Sequence, residues 1–405
     1  MTWKTVSLSD VCNVSIGKTP PRGDKLYWDE EKIKNNVWLS IADLSSSNDK
    51  YISDSKEYLS NEGASLFKSV PKNTLIMSFK LSIGKLAFTK CELRTNEAIA
   101  ALSILDESLI LKEFLYYYLS SLNWDVLAGH DQKVKGKTLN KKKLNALEIT
   151  LPPLAEQERI VARLDATFSE IDEAINKAEA KETEVQKLKT SLLSSSLNGD
   201  DLMWKKVKIS DVCQIQPKKA QVKSKLKDSD EVSFMPMKDL GIQSIYPKST
   251  QIKKLEKVYN SYTYFEDNDI LLAKITPCFE NGKLGIASNL INGVGFGSSE
   301  YIVLRCSEEV IPQYIYFCLN QPSFRIIGEN QMSGAVGHKR VPIEYVENTK
   351  IYLPPIAHQE RIVAKLDAAN IEFRNANESI AKSKANYLAL KAVILAQELQ
   401  SKEAA

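Results

Sequence analysis

The chain has 405 residues, of which 43% are hydrophobic and 26% charged, and its formal net charge is +3. Its length exceeds what one hydrophobic core usually supports, so we predict several domains. The longest apolar run spans about eight residues (98–105), whereas a membrane helix needs roughly 18. The first residues lack the charged-then-apolar layout of a signal peptide, and we therefore expect a cytoplasmic protein.

The cysteines and histidines do not form a metal-binding pattern. None of the six cysteines belongs to a C-x-x-C pair, and the three histidines are scattered along the chain. We therefore predict no zinc site. Small buried hydrophobes in a reducing compartment are the preferred interpretation of the cysteines.

Residues 1–150 alternate between short β-rich runs and Gly, Pro or Asn punctuation, which is typical of an α+β globular domain. Residues 75–79 form one such run, and residues 112–121 form a helix-like stretch late in the segment. This segment carries 21 Lys and Arg against 18 Asp and Glu.

Residues 151–200 predict one long helix. No Gly or Pro occurs from residue 154 to residue 198, and Glu156 and Glu158 lie in the expected first turn, where they favour the helix dipole. About 40 residues at 1.5 Å each give a helix of roughly 60 Å. Its apolar residues recur every seven positions, the spacing of a coiled-coil seam: Leu164, Ile171, Ala178, Val185 and Leu192.

The remaining half of the chain repeats this plan. Residues 204–213 are identical to residues 3–12 at 7 of 10 positions, and residues 201–352 again predict an α+β domain. Residues 353–405 predict a second long helix, whose seven-residue series is Leu366, Phe373, Ile380, Tyr387 and Ile394. The start of the first helix, Leu151-Pro-Pro-Leu-Ala-Glu-Gln-Glu-Arg-Ile-Val-Ala-Arg-Leu-Asp-Ala166, recurs at residues 353–368 with 13 of 16 positions identical.

Connectivity predicts how the four segments assemble. The second α+β domain begins where the first helix ends and finishes where the second helix begins. The ends of a compact domain usually lie close together, so the two helices can pair only antiparallel. We therefore predict two globular α+β domains separated by an antiparallel coiled coil, with a pseudo-twofold internal repeat. The alternative is a pair of unrelated amphipathic surface helices.

Motifs of catalysis are missing from the sequence. It contains no G-x-x-x-x-G-K-[ST], no G-x-G-x-x-G after a strand, no H-E-x-x-H and no G-x-S-x-G. The acidic runs at residues 29–31 and 266–269 could be read as metal ligands, but solvated loops explain them better. We predict no catalytic centre and no metal site.

Basic clusters occur at comparable places in the two globular domains. Lysine suits phosphate contacts, whereas arginine is sparse and offers few base-reading forks. The candidates for such forks are Arg22, Arg94, Arg305, Arg325 and Arg340. A lysine cluster is often only a solvated surface, yet two diverged domains on a spacer would suit a duplex with two separate patches. The predicted DNA-binding residues are Arg22, Lys133, Lys135, Lys137, Lys141, Lys218, Lys219, Lys223, His338, Lys339 and Arg340.

The repeated Leu-Pro-Pro-(Leu/Ile)-Ala-x-Gln-Glu-Arg-Ile-Val-Ala motif, with residues 17–20, 275–283 and 295–300, resembles the DNA-specificity (S) subunit of type I restriction–modification enzymes over essentially the whole chain. Two departures are His358, where an acid is expected, and Gly17-Lys18 in place of Gly-Gly. The resemblance implies target-recognition domains at residues 1–150 and 201–352, with spacer helices at residues 151–200 and 353–405.

The same resemblance implies the partners and cofactors. The partners are double-stranded DNA, two methyltransferase (M) subunits and restriction or translocase (R) subunits, with no membrane. S-adenosylmethionine, ATP and Mg belong to those subunits, and this chain needs no cofactor. The helices would dock the M subunits through the seam residues Leu164, Ile171, Val185, Leu192, Leu366, Phe373, Ile380, Tyr387 and Ile394. A protein–protein adaptor without DNA contact and a self-sufficient nuclease or methyltransferase remain alternatives.

Overall fold

The computed structural model describes residues 3–47, 49–128, 132–133, 136–137, 139–198, 204–242, 244–248, 251–335 and 337–399. Two compact units divide the chain: residues 1–177 with 383–405, and residues 178–382. Both boundaries fall inside the long helices, so these units are not the four predicted segments, whose limits remain predictions.

The first unit is a mixed α+β structure with short strands. The strands are β1 (Lys4–Ser7), β2 (Cys12–Ile16), β3 (Asn36–Leu39), β4 (Tyr51–Ile52), β5 (Glu57–Leu59), β6 (Leu75–Ser78), β7 (Leu86–Thr89), β8 (Arg94–Thr95), β9 (Ile99–Ile104), β10 (Gln132–Lys133), β11 (Gly136–Lys137) and β12 (Glu148–Leu151). The helices are α1 (Leu8–Val11), α2 (Ile41–Ser46), α3 (Asn61–Ser65), α4 (Lys112–Ser121), α5 (Trp124–Ala128), α6 (Lys141–Asn145) and the first part of α7 (Leu154–Leu197).

A five-stranded sheet in the order β2–β9–β6–β7–β4 forms the centre of this unit. Its middle strands are buried on both faces. Since successive side chains of a strand point to opposite sides of the sheet, neighbouring residues of one strand join different hydrophobic clusters. Leu75 and Met77 of β6 join one hydrophobic cluster with α4, whereas Ile76 joins the other. The apolar run at residues 98–105 is therefore largely the central strand β9.

The second unit repeats the design with different loops. The strands are β13 (Lys205–Lys208), β14 (Cys213–Ile215), β15 (Glu231–Met235), β16 (Gln251–Lys254), β17 (Thr263–Glu266), β18 (Ile270–Ala273), β19 (Leu284–Ile286), β20 (Val294–Gly297), β21 (Tyr301–Cys306) and β22 (Lys350–Leu353). The helices are α8 (Ile209–Val212), α9 (Val222–Lys225), α10 (Leu255–Val258), α11 (Pro312–Leu319), α12 (Pro322–Asn330), α13 (Ile343–Asn348) and α14 (Ile356–Leu399), which continues into the first unit.

The strand order β14–β21–β18–β19 matches β2–β9–β6–β7 of the first unit. Its central strands are again buried on both faces: Leu272 lies in one cluster and Leu271 in another. A second sheet, β16–β15–β20–β17, has its own hydrophobic cluster. The duplicated sequence therefore folds as a duplicated framework.

A two-stranded antiparallel ladder closes each repeat. Lys4 of β1 lies opposite Leu151 of β12, and Lys205 of β13 lies opposite Leu353 of β22. In the second unit, Leu193 of α7 and Leu366 of α14 consequently share one cluster. The end of the first long helix thus lies beside the beginning of the second, as connectivity predicts.

The long helices also pack together in the first unit, where the beginning of α7 meets the end of α14. Arg159 and Arg163 pair with Glu398 at 3.5 and 3.1 Å, and further along α7 Asp172 pairs with Lys391. Residue numbers rise on one helix as they fall on the other, so the pair is antiparallel. The predicted α+β class, internal repeat and long antiparallel helices are confirmed.

No residue of the heptad seam is fully exposed. Four are buried, namely Leu164, Ile171, Ala178 and Leu366. The others are half-buried: Val185, Leu192, Phe373, Ile380, Tyr387 and Ile394. Docking of partner subunits on these residues stays a prediction.

Candidate nucleic-acid interface

The first predicted lysine cluster lies partly on a hairpin of the first unit. Lys133 and Lys137 belong to β10 and β11, which pair antiparallel with Gln132 opposite Lys137. Lys135 lies outside the described residues. Lys141 is exposed at the start of α6, where Asn140 Oδ1 accepts a hydrogen bond from the Lys143 backbone N–H at 2.8 Å and caps the helix.

The second unit has a hairpin at the same point of the repeat. Ser333 and Arg340 exchange two backbone hydrogen bonds, of 3.1 and 2.9 Å, and Gly334 and Gly337 adopt φ values of +127° and +81° in the turn. We call residues 333–335 and 337–340 the basic hairpin, because His338, Lys339 and Arg340 are all exposed on it.

Equivalent anchors place the two hairpins in register with the repeat. Leu139 donates its backbone N–H to the Phe79 carbonyl at 2.9 Å, and Val341, 202 positions later, donates to the Lys274 carbonyl at 2.9 Å. In each unit a residue just after the hairpin is thus hydrogen-bonded to the residue that follows an inner strand of the sheet, β6 or β18. Two clusters that look unrelated in sequence therefore occupy one structural position.

Arg340 is held rigidly at the end of the basic hairpin. Its Nε and Nη2 donate to the two carboxylate oxygens of Glu300 at 2.9 and 2.7 Å, and its Nη1 donates to the His338 carbonyl at 3.3 Å. The hydrogen bonds and the charge of this guanidinium hold the pKa of Glu300 below its ordinary value. Bidentate pairing of this kind fixes the guanidinium plane.

The residue of the first unit that matches Glu300 is Ala98, because its carbonyl accepts the Phe79 N–H at 3.0 Å as the Glu300 carbonyl accepts the Lys274 N–H at 2.9 Å. The adjacent carboxylate, Glu97, has a different set of neighbours from Glu300. It accepts a hydrogen bond from the Thr19 hydroxyl. That bond, its own backbone N–H and the charges of Lys80 and Arg22 lower its pKa against the opposing effect of burial. Gly17, two residues before Thr19, must be glycine, because an added Cβ would lie 1.9 Å from the Thr95 carbonyl oxygen.

Arg22 lies over two indole rings in the first unit. Its guanidinium carbon is 4.8 Å from the centroids of both Trp28 and Trp38, and the side chain pairs with Glu57. The rings meet edge to face at 5.1 Å. A groove of about 420 Å³ beside Trp28 is lined by basic, aromatic and acidic groups together: Arg22, Lys25, Lys56, Trp28, Tyr58, Asp29, Glu30 and Glu57.

The second lysine cluster surrounds Tyr259. Lys219 donates to the Tyr259 carbonyl, and Lys223 lies 4.6 Å from its ring and 3.5 Å from Asp228. Lys218 is exposed. Lys219 is therefore partly engaged within the protein, whereas Lys218 and Lys223 present their charge to solvent.

Several arginines that the sequence offers as base readers are engaged inside the protein. Arg305 donates to both carboxylate oxygens of Asp269, at 2.8 and 2.7 Å, and Asp269 is only 1% exposed. Arg94 donates to the Ala64 carbonyl at 3.0 Å, and Arg325 to the Asn320 carbonyl at 2.9 Å. The first is an internal ion pair, and the other two fasten backbone segments.

Two buried glutamines, which the sequence reasoning missed, fasten the long helices to the globular parts. Gln157 Oε1 accepts from the Leu111 N–H at 2.9 Å, while Nε2 donates to the Leu109 and Pro152 carbonyls at 2.9 Å. Gln359 repeats this pattern with Ile311, Glu309 and Pro354 at 2.9–3.0 Å. The available signal was their identity in both copies of the helix-start motif.

Neither a metal centre nor a membrane helix emerges from the described ranges. Within them, no group of three or more His, Cys, Asp and Glu side chains is arranged to hold a metal ion. None of their helices combines the length and apolar character needed to cross a membrane. Cys213 and Cys306 face each other across β14 and β21 with their sulfur atoms 3.8 Å apart, and both are free thiols.

Comparison with known proteins gives matches along most of the chain. The model of the type I restriction modification DNA specificity domain matches residues 1–181 and again residues 202–391. The specificity subunits of the type I restriction enzymes EcoAI and EcoEI of Escherichia coli are 45% and 47% identical over 109 and 108 residues. Those matches cover 27% and 26% of this chain but only 18% of each relative.

More distant relatives match larger parts. The EcoR124I/EcoR124II specificity subunit of Escherichia coli is 26% identical over 192 residues, which is 45% of this chain and of the relative. A chain from a study of complex assembly and conformational transition of the type I R-M system shares the fold, with a TM-score of 0.71, 18% identity and coverage of 99% and 98%. The HsdS subunit from Thermoanaerobacter tengcongensis gives a TM-score of 0.51 with 17% identity, covering 98% of this chain and 96% of that chain. Because the specificity-domain model accounts for most of the sequence in two consecutive copies, the chain belongs to the type I restriction modification DNA specificity family.

Proposed function

We propose that this chain is the DNA sequence-specificity subunit of a type I restriction–modification complex. Each α+β domain reads one half of a bipartite, asymmetric DNA site, and the paired helices set the gap between the halves. The observation that carries this proposal is the duplication itself: the two units share strand order and helix attachment but differ in their exposed side chains. A target with two unlike halves requires such a pair of readers.

The exposed basic groups support contact with a duplex. Lys141 and the basic hairpin lie near the C-terminal ends of the sequences of their respective domains. Lys218 and Lys223 add a second positive region in the second unit. Phosphate contacts of this kind orient a protein on DNA without specifying sequence, whereas base-edge contacts select it. The proposed recognition segments are residues 1–150 and 201–352.

The proposed subunit is non-catalytic. Methylation with S-adenosylmethionine belongs to the M subunits, of which two bind, and DNA cleavage with ATP and Mg belongs to the R subunits. The long helices, residues 151–200 and 353–405 in the proposed division, hold the M subunits. Family membership and the two copies of the domain support this assignment.

Methylome sequencing of cells that express this chain with M subunits tests the proposal. We expect one bipartite motif with a fixed gap, which disappears when this chain is omitted. A complex that binds no duplex, or binds it without dependence on salt, would instead indicate a protein–protein adaptor. Methylation or cleavage by the purified chain alone would indicate a self-sufficient enzyme.

A further inference from the structure

The basic hairpin of the second unit ends in a guanidinium whose orientation is fixed before any ligand binds. Two of its nitrogens are engaged by Glu300 through the side-on fork, and 47% of the Arg340 side chain is exposed. The hairpin backbone is itself anchored, because Thr276 donates its N–H to the Lys339 carbonyl and Val341 donates to the Lys274 carbonyl, both at 2.9 Å. The Arg340 guanidinium is therefore both fixed in orientation and accessible to a ligand.

The remaining donors of Arg340 define what it can bind. A guanidinium carries five N–H groups. Nε and one N–H of Nη2 point at Glu300, and one N–H of Nη1 reaches His338. One N–H each of Nη1 and Nη2 stays unmatched among the described residues. These two donors form the end-on fork, which fits two adjacent acceptors in one plane.

The paired carboxylate favours a neutral ligand over a phosphate. Glu300 offsets most of the Arg340 charge and would repel a phosphate that approached the pair, so the pair is a poor phosphate clamp. Its fixed plane instead suits the O6 and N7 acceptors of guanine in the major groove, the base edge that arginine reads in bidentate fashion. Nearby Lys339 and His338 are exposed and remain available to the backbone of the duplex.

We propose that Arg340, positioned by Glu300, reads a guanine in the half-site recognised by the second unit. This inference rests on the proposed function, since it names the side chain through which one domain selects sequence. In the first unit Ala98 stands at the position of Glu300, and the carboxylate next to it, Glu97, accepts a hydrogen bond from Thr19 and has Lys80 and Arg22 nearby. The two domains therefore differ at this position, as the recognition of two unlike half-sites would require.

The test is methylome sequencing of cells that carry the assembled complex with Arg340→Lys, Arg340→Ala or Glu300→Gln. For Arg340→Lys, which keeps the charge but loses the fork, we expect discrimination at one G·C position of one half-site to fall roughly 5- to 150-fold. The other half-site and the gap should stay unchanged. Glu300→Gln keeps the arginine but loosens its orientation, so a smaller relaxation at the same position is expected.

Lys257→Ala, which removes one exposed charge from α10 of the same unit, is the control and should leave the motif unchanged. An unaltered motif in Arg340→Lys, or a uniform loss of methylation at all sites in Arg340→Ala with Arg340→Lys unaffected, would indicate a phosphate contact and overturn the inference. Thermal unfolding of each complex identifies a variant that has merely lost its fold. If the Arg340 variants do not fold, the motif of the Glu300→Gln complex decides: relaxation at one G·C position supports the inference, and an unchanged motif overturns it. If omission of this chain leaves the motif intact, the proposed function fails instead.

Discussion

Gln157 and Gln359 each satisfy three backbone groups at the point where a long helix leaves its α+β domain. Both side chains are 0% exposed, so these amides have no water to replace a lost partner. Backbone groups in loops lack the regular partners of a helix or sheet, and a buried unsatisfied group is costly. These glutamines therefore explain why the helix-start motif is nearly identical in the two repeats.

Replacing either glutamine with methionine should destabilise its own domain. The Ile311 N–H and two carbonyls lose their partner in Gln359→Met, and we expect a loss of roughly 1–3 kcal/mol in the free energy of unfolding. Urea denaturation and hydrogen exchange at Ile311 measure it. Glu360→Ala is the matched control, because Glu360 is adjacent and equally repeated but exposed, and it should change little. Equal effects of the two variants would contradict the fastening role.

The repeat is less strict at Asp165 and Asp367, which are 202 positions apart. Asp165 accepts a hydrogen bond from the Tyr117 hydroxyl and pairs with Lys50 at 2.6 Å. Asp367 Oδ1 is buried with no hydrogen-bond partner among the described residues, and burial raises the pKa of this carboxyl. Phe317 of α11 occupies the same position as Tyr117 of α4, counted from the start of each helix, and has no hydroxyl to donate.

Asp367→Asn should therefore stabilise the protein, but only above the pKa of an unfolded aspartate. A folded-state pKa above the unfolded value means that wild type loses stability as pH rises through the interval between the two values. The variant lacks this loss, so it should be more stable by about 1 kcal/mol at pH 7 and equal to wild type near pH 3. Chemical denaturation at both pH values measures the difference. Asp165→Asn, which removes a satisfied carboxylate, should be destabilising at pH 7.

Among the elements, the two long helices are held antiparallel by hydrophobic packing and by ion pairs, although the apolar pattern in their sequences is incomplete. The residues seven apart are apolar throughout, but some of the seam positions between them are polar. Each helix shares hydrophobic clusters with the α+β part of a unit as well as with its partner helix. Ion pairs at Glu398 and Asp172 fix the antiparallel register in the first unit. Under the proposed function, helix length is the quantity that determines which gap is read.

Insertion of seven residues into the middle of both α7 and α14 should lengthen the preferred gap. One heptad preserves the phase of the seam and adds about 10 Å at 1.5 Å per residue. At 3.4 Å per base pair the gap should grow by roughly three pairs. The methylated motif of the variant complex gives the answer directly. Insertion of seven residues into α7 alone breaks the register and should abolish methylation, whereas an unchanged gap in the double insertion would contradict the spacer role.

At the scale of the whole molecule, charge is concentrated locally although the net value is only +3. Lys141, Lys142 and Lys143 are exposed within one turn of α6. Such clusters bind a polyanion by releasing counterions, which makes affinity fall with salt. Net charge alone would therefore underestimate the electrostatic part of duplex binding.

Neutralising these three lysines together should flatten the salt dependence of duplex binding by the complex. Each phosphate contact contributes about 0.9 to the slope of log affinity against log salt, so alanine at all three positions should reduce the slope by up to about 2.7. Fluorescence anisotropy on a duplex between 50 and 200 mM salt would detect it. The same substitution at Lys254, Lys257 and Lys350, which are exposed elsewhere, should leave the slope unchanged. Equal slopes for both triple variants would remove α6 from the interface.

The architecture was predictable because duplication and seven-residue periodicity are properties of the sequence itself. The side-chain partnerships were not, since they join distant residues. Arg305 is engaged by Asp269, 36 positions away, and Arg340 by Glu300, 40 positions away. The equivalence of the hairpins at Lys133 and Arg340 emerged only through the backbone anchors at Leu139 and Val341. The role of each basic side chain on DNA stays a prediction.

The two-stranded ladders β1–β12 and β13–β22 have a consequence for the exchange of whole segments of the chain. Each ladder brings the beginning and the end of the intervening polypeptide together at one place, beside a helix start that is nearly identical in the two copies. Exchange of the whole segment between the two strands of a ladder would therefore leave the path of the rest of the chain unchanged. Under the proposed function, such an exchange would change the target preference of one domain while the helices that hold both domains stay the same.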